Sequence, residues 1–169
     1  MSSGLVQIAS KTITSNTASF YFTGLTEDCP YLLNFQGVQM ENQNEDIYIR
    51  GGNSGTEDTT AQYQYGVVSY YSPGNINNGA TGQTGWIINF VNIHANGNGF
   101  NGWAILYDWY PATSRPGMLH ASANLYTGGA GIYGSRGGSQ FFNDISWSEV
   151  HIGFGGNIAS GEIGLYKYV

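Results

Sequence analysis

WSEVHIGFGGNIASGEIGLYKY, residues 147–168, alternates apolar and polar side chains with the period of two that belongs to a β-strand. Val150, Ile152 and Phe154 fall on one face; Glu149, His151 and Gly153 fall on the other. Ile163 and Leu165 then alternate with Glu162, Gly164 and Tyr166. Between the runs lie Gly155-Gly156-Asn157 and Ser160-Gly161, residues that tolerate the positive φ of a tight reversal. The pattern predicts a hairpin, one face buried and one wet. Such a hairpin needs earlier strands to pair with it.

Working back along the chain, those strands are legible. Leu5–Ile13 is predicted as a strand with Val6 and Ile8 on one face. Thr17–Thr23 follows, with Phe20 and Phe22 inward and Ser19 and Tyr21 outward. Tyr31–Met40 places Tyr31, Leu33 and Phe35 together, and Glu45–Arg50 places Ile47 and Ile49. Ala61–Tyr71 is a tyrosine-rich strand. Trp86–His94, with Trp86, Ile88 and Phe90 opposing Ile87, Val91 and Ile93, and Trp103–Tyr110 are apolar on both faces and read as covered strands. Met118–Thr127 sets Leu119, Ala121, Ala123 and Leu125 against His120, Ser122, Asn124 and Tyr126. The glycine-dense segments 51–60, 72–85 and 128–138 read as loops. No apolar stripe at helical spacing runs long enough between glycines. The expected fold is all-β: one domain over residues 1–169, a jelly-roll-like two-sheet antiparallel sandwich of about ten strands. The expected inward set is Phe20, Phe22, Leu33, Phe35, Ile88, Phe90, Val150, Ile152, Ile163 and Leu165.

Composition narrows the function classes. Charged residues are 9% of the chain and aromatics 15%, which excludes a disordered chain, since those carry many charges and few rings. The net charge is −6, and Lys11, Arg50, Arg115, Arg136 and Lys167 are scattered singly. No basic stripe is available to neutralise phosphates, so nucleic acid is not an expected partner. Residues 1–4 carry no apolar signal region, and no run reaches the roughly 18 apolar residues of a membrane span. Cys29, the one cysteine, precedes Pro30 and reads as a half-buried apolar residue in a turn.

Motifs that resemble chemistry are outweighed by plainer readings. Gly97–Gly102 and Gly129–Gly134 match G-x-G-x-x-G, but neither opens a helix in a βαβ unit, so hairpin turns explain both. Gly79–Gly85 lacks the Lys-Ser/Thr ending of a phosphate loop. Asn42, Asn44 and Asp46 alternate beside Glu41 and Glu45 as oxygen ligands for a weak calcium site would, against the alternative of a solvated loop. His94, His120 and His151 lie on separate strands without metal-ligand spacing and are expected at strand edges facing solvent or the outer sheet. Asp108 and Glu149 are the two acids on aromatic-flanked strands, the arrangement of a glycan-cleaving cleft, but solvent-facing placement is the expectation for both. Trp86, Trp103, Trp109 and Trp147, with Tyr70, Tyr71 and Tyr110, could stack on sugars or form a protein interface, core packing being the default for the tryptophans. No acid, base and nucleophile set has supporting context. The expectation is a non-enzyme with no catalytic residues, cofactor or metal.

The chain resembles small β-sandwich proteins on the outside of tailed-bacteriophage particles: head-decoration (cement) proteins and tail-fibre tip domains. The residues carrying the resemblance are Ser3–Ser10, Thr17–Gly24 (TASFYFTG) and Tyr31–Phe35 for the first three strands, and Ile152–Phe154 with Gly156–Tyr166 for the last. Ile49–Asn53 matches loosely, and residues 51–138 match only in style. The resemblance implies a virion structural protein, assembled in the bacterial host cytoplasm. Its partners would be the major capsid protein or other virion proteins, and it would form a homotrimer. Its first strand begins at Leu5 without a stalk, which favours head decoration; a fibre tip binding a receptor or host surface glycan is the alternative.

Overall fold

A computed structural model describes residues 4–41, 46–71, 74–88, 99–110, 115–126 and 131–169. Among them there are twelve strands and no helix: β1 (Leu5–Ile13), β2 (Thr17–Thr23), β3 (Tyr31–Met40), β4 (Ile47–Asn53), β5 (Thr56–Glu57), β6 (Tyr63–Tyr71), β7 (Gly74–Gln83), β8 (Trp86–Ile87), β9 (Phe100–Tyr107), β10 (Gly117–Tyr126), β11 (Gly131–Phe141) and β12 (Glu149–Tyr168). All pairings are antiparallel, and the strands form one strongly curled sheet in the order β5-β4-β12-β3-β9-β10-β11-β6-β7, with β1 and β2 also paired to β12 and β8 to β4.

The closing segment is not a hairpin. β12 is one strand of 20 residues, and it organises its neighbours. Ile152 pairs with Phe20 of β2 on one side and Ile49 of β4 on the other; Ile163 pairs with Lys11 of β1 and Phe35 of β3. β1 and β2 therefore lie end to end along one edge of β12, and β3 and β4 along the other. The Gly155–Gly161 segment bends the strand instead of reversing it. The register shifts between Gly153 and Ile158 against β2, and again across Ile158, Ser160 and Glu162 against β3. Those shifts are β-bulges, and they call on the same Gly and Asn residues as a hairpin turn.

Three segments predicted as loops carry strands. β4 continues to Asn53 and meets β5, β7 occupies most of residues 72–85, and β11 begins at Gly131. Gly137 shows why glycine does not break β11. A Cβ there would come within 2.3 Å of the Gly66 carbonyl and 2.8 Å of the His120 ring, so the position needs a residue without a side chain. Trp86, Ile87 and Ile88 are all buried, as expected of a covered strand. Phe90, His94 and the remainder of that predicted strand lie outside the described residues.

The core lies inside the curl. Phe22, Leu33, Phe35, Ile88, Val150, Ile152, Ile163 and Leu165 are buried as predicted. Phe20 is only partly buried, edge-on to Phe22 at 5.4 Å. Tyr63, Trp86, Trp109, Phe141 and Trp147 pack ring against ring at 4.7 to 6.1 Å and join β6, β8, β11 and the segments flanking β9 and β12. Trp147 lies flat on Gly51, where a Cβ would fall 1.8 Å from its ring. Cys29 is half-buried against the core, in the turn where it was expected. The phase of β10 is the reverse of the prediction: Met118 and His120 point into the core, and Leu119 is 50% exposed.

Candidate functional site

Glu149 and His151 are two residues apart on β12, so the pleat sets them side by side on one face. Both are buried, contrary to the solvent-facing placement expected of Glu149 and the strand-edge placement, facing solvent or the outer sheet, expected of His151. The cause is the turn above them. Asn53-Ser54-Gly55-Thr56 closes β4 onto β5 with φ of 55° at Ser54 and 77° at Gly55, the two positive values of a type I′ hairpin. The Gly55 amide donates to both Glu149 carboxylate oxygens at 2.9 Å, and Glu149 Oε2 lies 3.1 Å from His151 Nε2. Tyr21, cross-strand from His151, stacks on the imidazole at 4.8 Å and 21°. Gly52 makes room for the ring, since a Cβ there would approach Nε2 to 2.5 Å. Asn53 ties down the turn's base, donating to the Ser146 carbonyl and accepting from the Ser148 amide and hydroxyl.

This arrangement is an acid–imidazole pair whose carboxylate is engaged by a backbone amide. Among the described residues, no hydroxyl or thiol hydrogen-bonds His151. Asp108 is not brought into the pair. It sits exposed beyond the end of β9 with φ 53°, while the neighbouring Trp109 donates its indole N–H to the Glu149 backbone carbonyl at 3.1 Å. The cluster holds a turn and has the geometry of a structural lock.

The other predicted positions disperse. His120 is buried on β10 with neither ring nitrogen hydrogen-bonded, and burial pushes its pKa down to about 4. His94, Asn42, Asn44 and Glu45 lie outside the described residues. Glu41 instead accepts from Asn16 at 2.7 Å and Asn157 at 2.9 Å. The described parts of both G-x-G-x-x-G matches run into strands, β9 and β11. Of the candidate aromatic platform, Trp86, Trp109 and Trp147 belong to the core, the default expected of the tryptophans. Tyr70 is half-buried beneath Arg136, whose guanidinium lies 5.4 Å from the ring centroid. Only Trp103, at 41%, and Tyr110, at 38%, are exposed; the side chain of Tyr71 is outside the described set.

Two surfaces stand out that sequence patterning did not single out. The first is β1, which pairs only with β12 among the described residues and leaves its other edge open. Leu5, Val6 and Ile8 on it, with Tyr168 and Val169 alongside, are 37% to 55% exposed. The second is the outer face of β9, β10, β11 and β6, where Tyr107 lines an open depression of ≈ 670 Å³, Trp103 one of ≈ 480 Å³, and Trp103 with Leu119 one of ≈ 440 Å³. The signal for both was the wrong-phase apolar residue. Leu119 and Val6 look like core residues to a periodicity argument, and only the pairing shows that they face outward.

No family model, curated protein or solved structure matches this chain.

Proposed function

We propose that this chain is a structural protein on the surface of a tailed-bacteriophage particle, held there by protein–protein contacts, with head decoration as its role. The observation that carries the reading is the open β1 edge. Among the described residues this nine-residue strand pairs on one side alone, and its free edge beside Leu5, Val6 and Ile8 is a template for pairing with another chain, which soluble monomers usually blunt with charge or proline. The resemblance of the first three and the last strands to phage surface proteins supports the same reading, and with it a jelly-roll-like sandwich description of the curled sheet. In this reading the protein assembles on the virion in the bacterial host cytoplasm, contacts the major capsid protein and performs no catalysis, with Glu149 and His151 holding the β4–β5 turn.

Quantitative mass spectrometry of purified particles tests the role. Copies equal to the major capsid protein, or a fixed simple fraction of it, are expected. A count in the tens, with free protein adsorbing to host cells, would reject decoration in favour of a fibre tip.

A further inference from the structure

On the outer face of the sheet, strand register lines residues into rows. One row is Trp103–Ala121–Arg136–Val68, the next Ile105–Leu119–Gly138–Gly66–Gly79, and the third Tyr107–Gly117–Gln140–Gln64. The middle row loses its side chains at three consecutive strands, so bare backbone floors a trench between two walls. Alternate rows stand roughly 14 Å apart, four residues of strand rise, which admits a single extended chain of rings.

Glycine in a strand interior costs stability and needs a cause. At Gly66 neither usual cause applies. Its φ is not positive, and a Cβ there would meet nothing within 4 Å. A Cβ at Gly138 would make only an ordinary contact, 3.4 Å from Leu119 Cδ2. The fold therefore has room for side chains it does not carry. The register shift of β6 against β7 lies between Tyr63 and Tyr65, while Gly66 itself pairs regularly with Gly138 and Gly79, so the cause that fits is the close approach of something else to the backbone.

We infer that this trench binds a neutral oligosaccharide. At Gly138 and Gly66 the floor lies on strands paired on both sides; among the described residues β7 is the edge, and a peptide pairing there would run along β7 and not along the trench, which crosses the strands. Arg136 is the one charged side chain on the three rows and already covers Tyr70, which disfavours nucleic acid and polyanions. The walls offer carboxamides, Gln64 and Gln140, with no hydrogen-bond partner among the described residues, and an amide both donates and accepts as sugar hydroxyls do. Trp103 supplies an exposed apolar ring on which the C–H face of a pyranose can lie.

Affinity electrophoresis through gels containing dextran, mannan or galactan, with titration of the matching oligosaccharide followed by tryptophan emission, tests this site. Retardation by at least one polysaccharide is expected, with an emission shift that belongs to Trp103, since the other three tryptophans are buried. Trp103→Ala should remove the shift and weaken binding at least tenfold. Gly66→Val should also abolish retardation while melting no lower than the wild type, because it fills the trench without crowding the fold. No retardation in any of the three gels, or retardation that both variants retain, would overturn the inference.

Discussion

His120 illustrates what a single residue hides from its sequence. It alternates with Leu119 and Ala121 and looks like the wet side of β10, yet it is 3% exposed with neither ring nitrogen paired. The inversion follows from neighbours on other strands. Gly137 leaves space beneath the imidazole, and Trp103 occupies the opposite face beside Ala121. A one-residue change of phase exchanges the two faces of a strand, and the small residues of β10 give it a weak preference. The consequence is a pH dependence. Burial lowers the folded-state pKa from 6.5 to about 4, so the unfolded chain binds this proton first as pH falls. The stabilisation is fully present above pH 6.5 and is lost on descending to pH 4. At 1.36 kcal/mol per pK unit, the loss is about 3 kcal/mol. Urea denaturation of the wild type and His120→Leu at pH 7 and pH 4 isolates this share from the carboxylates. The wild type should lose about 3 kcal/mol more than the variant, and equal losses would show that the ring is protonated without penalty.

At the scale of elements, strand existence was legible wherever β-branched and aromatic residues alternate, as in β1, β2, β3, β6 and β9. It was not legible where glycine and asparagine dominate. β7 reads GNINNGATGQ, a loop by composition, because composition reports what a residue permits and pairing decides which permitted state is used. β12 makes the same point within one strand. Gly161 has φ 138° and its absent Cβ would lie 2.7 Å from Val38 Cα, whereas Gly153 has open space and no positive φ. Gly161→Ala should therefore destabilise by roughly 2–3 kcal/mol. Gly153→Ala, eight positions away on the same strand, should be neutral or stabilise by about 0.5 kcal/mol through the unfolded chain. Chemical denaturation of both variants checks the pair; similar losses would mean that β12 is not bent about Gly161 as described.

For the whole molecule, the decisive quantity is how much apolar surface the curled sheet leaves uncovered. The aromatic cluster closes the inside of the curl, but of β1 only Ile13 enters the core fully, and Leu5, Val6 and Ile8 are presented to solvent. Lys11 is the one charge on that strand, too little to deter pairing with a second chain. On the proposed virion-surface role, a homotrimer is the expected stoichiometry. Light scattering at micromolar concentration should return about three times 18.3 kDa. With 9% of residues charged, association should persist from 0.1 to about 1 M salt, since screening has little to weaken. Val6→Lys with Ile8→Lys places two further charges on the open edge and alters no buried side chain, so the variant should fold with unchanged thermal stability per chain and scatter as 18.3 kDa. A wild type that is monomeric at every concentration would confine assembly to the particle itself, and a double variant that remains trimeric would move the interface away from β1.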